Sequence, residues 1–245
     1  MHDSTFMKAT MKIYSKLVLK FKLPIYACVL LSSLLNVCKA QGVPLEEIKT
    51  VTRDSSHKYF YPRLLEEFNA QPEYYSIEKG MYLYYGQLYS NSYKFFNFGK
   101  NAMQFEQFIN RGQLKKAIHI GEQILLENPV NLNVLYKLAY CYNKESQPEK
   151  ADIAKNKAVV LLRAIESSGN GMNREQAFKV TSVNDEYILA GKLGIKKKIR
   201  KSEMLAHSVV DSWELKDPDS GVIKYLYFEV LYNYDAVRLP EDDKK

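Results

Sequence analysis

Asp185, Glu186 and Tyr187 stand in a row, and two neighbouring carboxylates beside a phenol are first candidates for general acid and base work. Successive residues of a helix project about 100° apart, so the two acids would not face one substrate together. The preferred reading is a helix cap followed by a first-turn carboxylate. His2, His57, His119 and His207 show no metal-ligand spacing. No nucleophile elbow, phosphate loop or dinucleotide fingerprint occurs either, so the sequence predicts no cofactor and no metal.

Two further segments carry groups that can bind. Ser167 to Asn173 is glycine-rich and could offer backbone N–H groups to an anion, but it lacks the lysine of a nucleotide site and reads first as a turn. Lys196, Lys197, Lys198, Arg200 and Lys201 could meet nucleic acid, anionic lipid or an acidic glycan; the plainer reading is a solvated strand edge. Bulk charge does not decide for a polyanion. Of the 35 basic and 28 acidic residues, six lysines and one aspartate lie in residues 1–40, which leaves 29 against 27 for the rest.

That N-terminal segment has the order of a secretory signal. Lys12, Lys16, Lys20 and Lys22 precede an apolar run from Leu23 to Leu35, and Ala40 follows as the expected cleavage position. The run is shorter than the ~20 residues a spanning helix needs and contains Pro24, so no transmembrane anchor is expected after cleavage. The protein is then periplasmic or secreted. Cleavage removes Cys28 and Cys38 and leaves Cys141 alone, a buried structural thiol flanked by Tyr140 and Tyr142.

Residues 41–58 are polar with little period and read as a leader. Tyr61, Leu64, Leu65 and Phe68 share a helical face behind Pro62, and an aromatic helix follows over Ile77 to Leu88. Tyr74, Tyr75, Tyr82, Tyr84, Tyr85, Tyr89 and Tyr93 crowd this stretch, where they either pack a core or offer stacking area to a sugar or peptide. Residues then repeat with a period of 34, Phe108 aligning with Tyr142 and Ala117 with Ala151. Phe98, Ala102, Phe105, Phe108 and Ile109 make one stripe, and Leu114 to Leu125 its antiparallel partner after a turn at Gly112. Leu132 to Tyr142 and Ala151 to Ile165 repeat the pair, with Pro148 opening the second helix.

Small residues on one helix, alanines on the next and a closing proline resemble the tetratricopeptide repeat. By resemblance to its peptide-binding members, Asn133, Tyr136, Tyr140, Asn143 and Lys144, joined by Glu106 and Asn110, project into a concave groove. Beyond a turn cluster from Ser167 to Gly171 a domain joint is expected. Phe178, Val180 and Val183 suggest a strand, Asp185 starts a short helix, and Ser208 to Leu215 with Val222 to Tyr232 form a hairpin joined through Asp217 to Gly221. Residues 239–245 read as a frayed tail. The fold class is α+β, with helical hairpin repeats at 59–166 and a small β-rich region at 167–238.

The runs FYPRLLEEF from Phe60, MYLYYGQLYSNSY from Met81, ESSGNGMNREQAF from Glu166, NDEYIL from Asn184 and YLYFEV from Tyr225 occur together and in order. They resemble an uncharacterised family of exported bacterial proteins, domain of unknown function 4919, over nearly the whole chain after the signal. The resemblance implies export, a tetratricopeptide-like body and a β tail, and it brings no activity. Asn170 in the SGNG turn and Asn184 before Asp185 depart from the family pattern, which bears on any cation in that loop. The expected function is a non-enzymatic module binding a protein or peptide of the cell envelope, with no nucleic-acid partner; the alternative is an envelope enzyme or glycan-binding protein acting on a periplasmic polymer.

Overall fold

A computed structural model describes residues 42–90, 93, 99–195, 199–216 and 221–233. The signal segment, Phe98, Lys196 to Lys198, the hairpin connection from Asp217 to Ser220 and the tail lie outside the described residues.

Among the described residues there are eight α-helices and one mixed four-stranded sheet, an α+β arrangement. Helices α1 (Leu45–Val51), α2 (Tyr61–Ala70) and α3 (Ile77–Gly86) come first, with single 3-10 turns at Pro72–Tyr74 and Gln87–Tyr89. Helix α1 corrects the expectation of a polar leader, since it seats fully buried Ile48 against the core. A seven-residue helix completes only two turns, too few for its period to stand out. Pro62 sits in the first turn of α2, and the Ser76 side chain accepts from the Lys79 N–H to open α3.

Four longer helices follow as α4 (Lys100–Asn110), α5 (Leu114–Glu127), α6 (Leu132–Lys144) and α7 (Pro148–Glu166), each packed on the next. The turns inside the α4–α5 and α6–α7 pairs are alike. Gly112 and Ser146, 34 residues apart, both take left-handed backbone, with φ of 66° and 56°. Each is followed by the same backbone bond: Gln113 N–H donates to Phe108 C=O at 2.8 Å, and Gln147 N–H to Tyr142 C=O at 2.9 Å. Helices α5 and α6 approach closely at Gly121, where an added Cβ would lie 2.7 Å from the Phe105 ring and 2.9 Å from Leu138.

The sheet is ordered β1 (Phe178–Val180), β4 (Ile223–Leu231), β3 (Ser208–Lys216), β2 (Ile199–Met204). Strand β1 runs parallel to β4, and the other pairs are antiparallel. Val183 does not extend β1 as expected. It opens helix α8 (Val183–Lys192), which begins two residues before Asp185 because the Ser182 hydroxyl accepts from the Asn184 N–H at 3.1 Å.

Apolar side chains gather in two clusters. Phe105, Ala117, Ile118, Leu138, Cys141 and Ala151 form one between the paired helices. The larger joins Ile48, Phe68, Tyr84 and Ile165 to Phe178, Trp213 and Phe228 of the sheet. The joint expected at Ser167 is therefore no boundary between cores: the sheet and the flanking helices bury the same side chains. The glycine-rich segment there is a turn whose Asn170 and Gly171 N–H groups both donate to Gln176 C=O, so they are spent within the loop. Gly169 is required, since a Cβ would lie 2.4 Å from the Gln176 oxygen.

Candidate functional site

Helix α6 starts cleanly because the Asn131 side chain accepts from the Val134 N–H at 3.1 Å. It buries Leu132, Val134, Leu135, Leu138, Cys141 and Tyr142 and turns its remaining stripe outward. On that stripe Asn133, Tyr136 and Lys137 stand at i, i+3 and i+4. Asn184, Tyr187, Ile188 and Gly191 repeat the spacing on α8, which packs beside α6. The two stripes line an open hollow of about 360 Å³. Tyr136 is 56% exposed and Tyr187 45%, so two phenol rings are presented to whatever enters.

The structure brings together only part of the groove expected from sequence. Asn133 and Tyr136 line the hollow. Glu106 reaches them from α4, where its carboxylate accepts from Asn133 Nδ2 at 3.2 Å and pairs with the Lys137 ammonium. Tyr140, Asn143 and Lys144 lie farther along α6, outside the lining, with the Lys144 ammonium 5.8 Å from the centre of the Tyr140 ring. Asn110 is exposed at the last position of α4 and is likewise outside. The α8 half went unrecognised, although the i, i+3, i+4, i+7 spacing of Asn184, Tyr187, Ile188 and Gly191 was the signal that could have found it.

Beneath the groove, α8 turns its other face inward. Both acids stand in the first turn of α8, as expected of Glu186, but the cap is Ser182 and not Asp185, and Asp185 and Glu186 are only 4% and 0% exposed. They do point apart. Tyr84 of α3 donates to Asp185 Oδ2 at 2.6 Å, and the Tyr84 oxygen accepts from the Thr181 N–H at 2.9 Å. Burial raises the Asp185 carboxyl to about 7, against the opposing pull of the Tyr84 hydrogen bond. Burial, and then the Asp185 charge, hold the Tyr84 phenol well above its ordinary range.

Glu186 points toward the sheet. Trp213 Nε1 donates to its Oε2 at 2.9 Å, Arg200 Nε lies 4.0 Å from the same oxygen, and Arg200 Nη2 stands 2.9 Å from Asp211 Oδ2. Burial and the Asp211 carboxylate beside it raise Glu186 to about 9, while Arg200 and Trp213 pull the other way. Arg200 thus leaves the solvated edge expected for the basic run and turns into the sheet's covered face; Lys201 remains exposed. The Tyr187 and Trp213 rings, 5.1 Å apart, connect the groove to this cluster.

Of the seven tyrosines before the paired helices, Tyr75, Tyr82, Tyr84 and Tyr85 are core side chains, and Tyr74 is 81% exposed. Among the described residues no group of three or more His, Cys, Asp or Glu is placed to hold a metal ion. The groove's chemistry is two phenols, two amides and a lysine already matched by Glu106. Groups of these kinds can stack against flat surfaces and exchange hydrogen bonds with polar ones.

A family described as a domain of unknown function, DUF4919, matches residues 46–237. Neither curated proteins nor solved structures give a match.

Proposed function

The chain belongs to the DUF4919 family, and from that premise we propose that it is an exported, tetratricopeptide-like module of the cell envelope that binds an extended segment of a partner protein. The bound segment lies between α6 and α8. Support for the repeat comes from the 34-residue offset of the Gly112 and Ser146 turns and of the backbone bonds that follow them. No described helix is long and apolar enough to cross a membrane.

The observation that carries the reading is the open groove, in which Asn133 and Asn184 offer amides and Tyr136 and Tyr187 offer rings from opposite walls. An extended chain exposes alternating amides and side chains, which such walls can hold on both counts. The alternative, an enzyme or glycan-binding protein acting on a periplasmic polymer, would draw on the carboxylates around Asp185; Asp185 itself is buried under Tyr84, which leaves Glu186 and its neighbour Asp211. Both are fully buried and face Arg200 and Trp213 instead of the groove.

The test is a photo-crosslinking residue at exposed Asn184 in the full chain, in the cell that produces it. A polypeptide adduct is expected, lost when Tyr136→Ala and Tyr187→Ala are added to a chain that keeps its helical circular dichroism. The same probe at Tyr74 should give no such adduct. An adduct that survives the double substitution, or one obtained equally from Tyr74, overturns the groove.

A further inference from the structure

The two edges of the sheet are finished differently. At β1 the outer backbone is covered: Lys179 N–H donates to Ser168 Oγ at 2.8 Å, Tyr85 OH donates to Lys179 C=O at 2.9 Å, and Thr181 N–H donates to the Tyr84 oxygen. At the other edge, β2 is exposed at every residue except half-buried Arg200. Ile199, Met204 and neighbouring Leu205 are large apolar side chains left in water there, Met204 at 78% exposure.

The backbone of β2 has a readable phase. Leu205 N–H donates to Ser208 C=O at 2.8 Å, and in an antiparallel ladder bonded pairs alternate with unbonded ones. Ile199, Lys201 and Glu203 therefore turn their N–H and C=O groups toward β3, and the Ser212 hydroxyl reaching the Lys201 carbonyl agrees with this. Arg200, Ser202 and Met204 turn theirs away from the sheet.

We propose that β2 pairs antiparallel with β2 of a second copy of this chain, centred on Ser202, joining two four-stranded sheets into one. The register follows from charge. Centring on Ser202 sets Ser202 against its counterpart and Arg200 against Met204 as bonded pairs, about six new backbone hydrogen bonds. It also sets Lys201 against Glu203 twice, in the unbonded positions where side chains come closest. Shifting the centre to Lys201 would oppose two lysines, and shifting it to Glu203 would oppose two glutamates. Centres between residues would set outward-turned backbone against inward-turned backbone. Lysine on an edge ordinarily discourages pairing; here the opposite glutamate neutralises it. Glu203 already meets Arg174 of its own chain, so the contact becomes a three-charge cluster.

Sedimentation equilibrium of the full chain tests this. The unaltered protein is expected to dimerise, and Lys201→Glu or Glu203→Lys alone to weaken association about tenfold or more, since each turns two attractive pairs into two repulsive ones. The double exchange should restore it. A mixture of the two single variants should also associate, because glutamates on one chain then meet lysines on the other. Circular dichroism checks that each variant is folded. A protein that stays monomeric throughout, or a dimer indifferent to both single reversals, overturns the proposal.

Discussion

A carboxyl group that is neutral when buried and charged when the chain unfolds makes stability depend on pH. Glu186 is raised to about 9 and Asp185 to about 7, both first by burial. For an acid raised in the folded state the contribution is full below its unfolded value, near 4, and is lost as pH rises through the folded one. The folded protein is thus expected to be more stable at pH 5 than at pH 8, with a slope of up to ~1.4 kcal/mol per pH unit for each group. Thermal melts across that range check it, and a flat or rising profile would contradict the burial of these acids. Arg200 is the counterweight. Its side chain is 29% exposed and that of Asp211 0%, so Arg200→Ala strands a buried carboxylate and should cost about 3–5 kcal/mol. Adding Asp211→Asn should recover part of that loss, because the stranded charge is then gone.

Helix α8 is short, yet it serves two surfaces: Asp185, Glu186, Leu189 and Ala190 face the core, while Asn184, Tyr187, Ile188 and Gly191 face the groove. Its position on the groove wall depends on α6, which is held in turn by α5. That contact is set by Gly121, whose missing side chain lets Phe105 and Leu138 close over the helix. Gly121→Ala would normally favour a helix, but here the methyl meets both side chains well inside contact distance. The substitution is expected to destabilise by about 1–3 kcal/mol, measured by denaturant unfolding. A neutral or stabilising result would mean that the α5–α6 spacing is wider than described.

On the scale of the whole molecule, helices and sheet stand or fall together. Trp213, the one tryptophan, sits fully buried on the sheet in the same cluster as Tyr84 and Leu83 of α3 and Ile165 of α7. Tryptophan fluorescence reports the sheet, and far-ultraviolet circular dichroism reports mainly the helices. The two signals are expected to change at the same denaturant concentration. A fluorescence transition well before the loss of helix would show that the sheet folds apart, as a joint at Ser167 would have required.

The sequence alone determined the features that depend on local spacing. The period of 34, the helix starts at Pro62 and Pro148, the turn at Gly112 and the two long strands of the hairpin all follow from side chains a few residues apart. The family runs were equally legible. What spacing could not decide is which face of a helix meets which neighbour. The first-turn place of Asp185 and Glu186 was legible, but their burial was not, because Tyr84, Arg200 and Trp213, which make it tolerable, come from other elements. The groove divided for the same reason. Asn133 and Tyr136 could be named from α6 itself, but Tyr140, Asn143 and Lys144 were kept out of the lining, and Asn184 and Tyr187 brought in, by the placement of α8. That placement is a property of the shared core, formed by residues more than a hundred positions apart, and no local period encodes it.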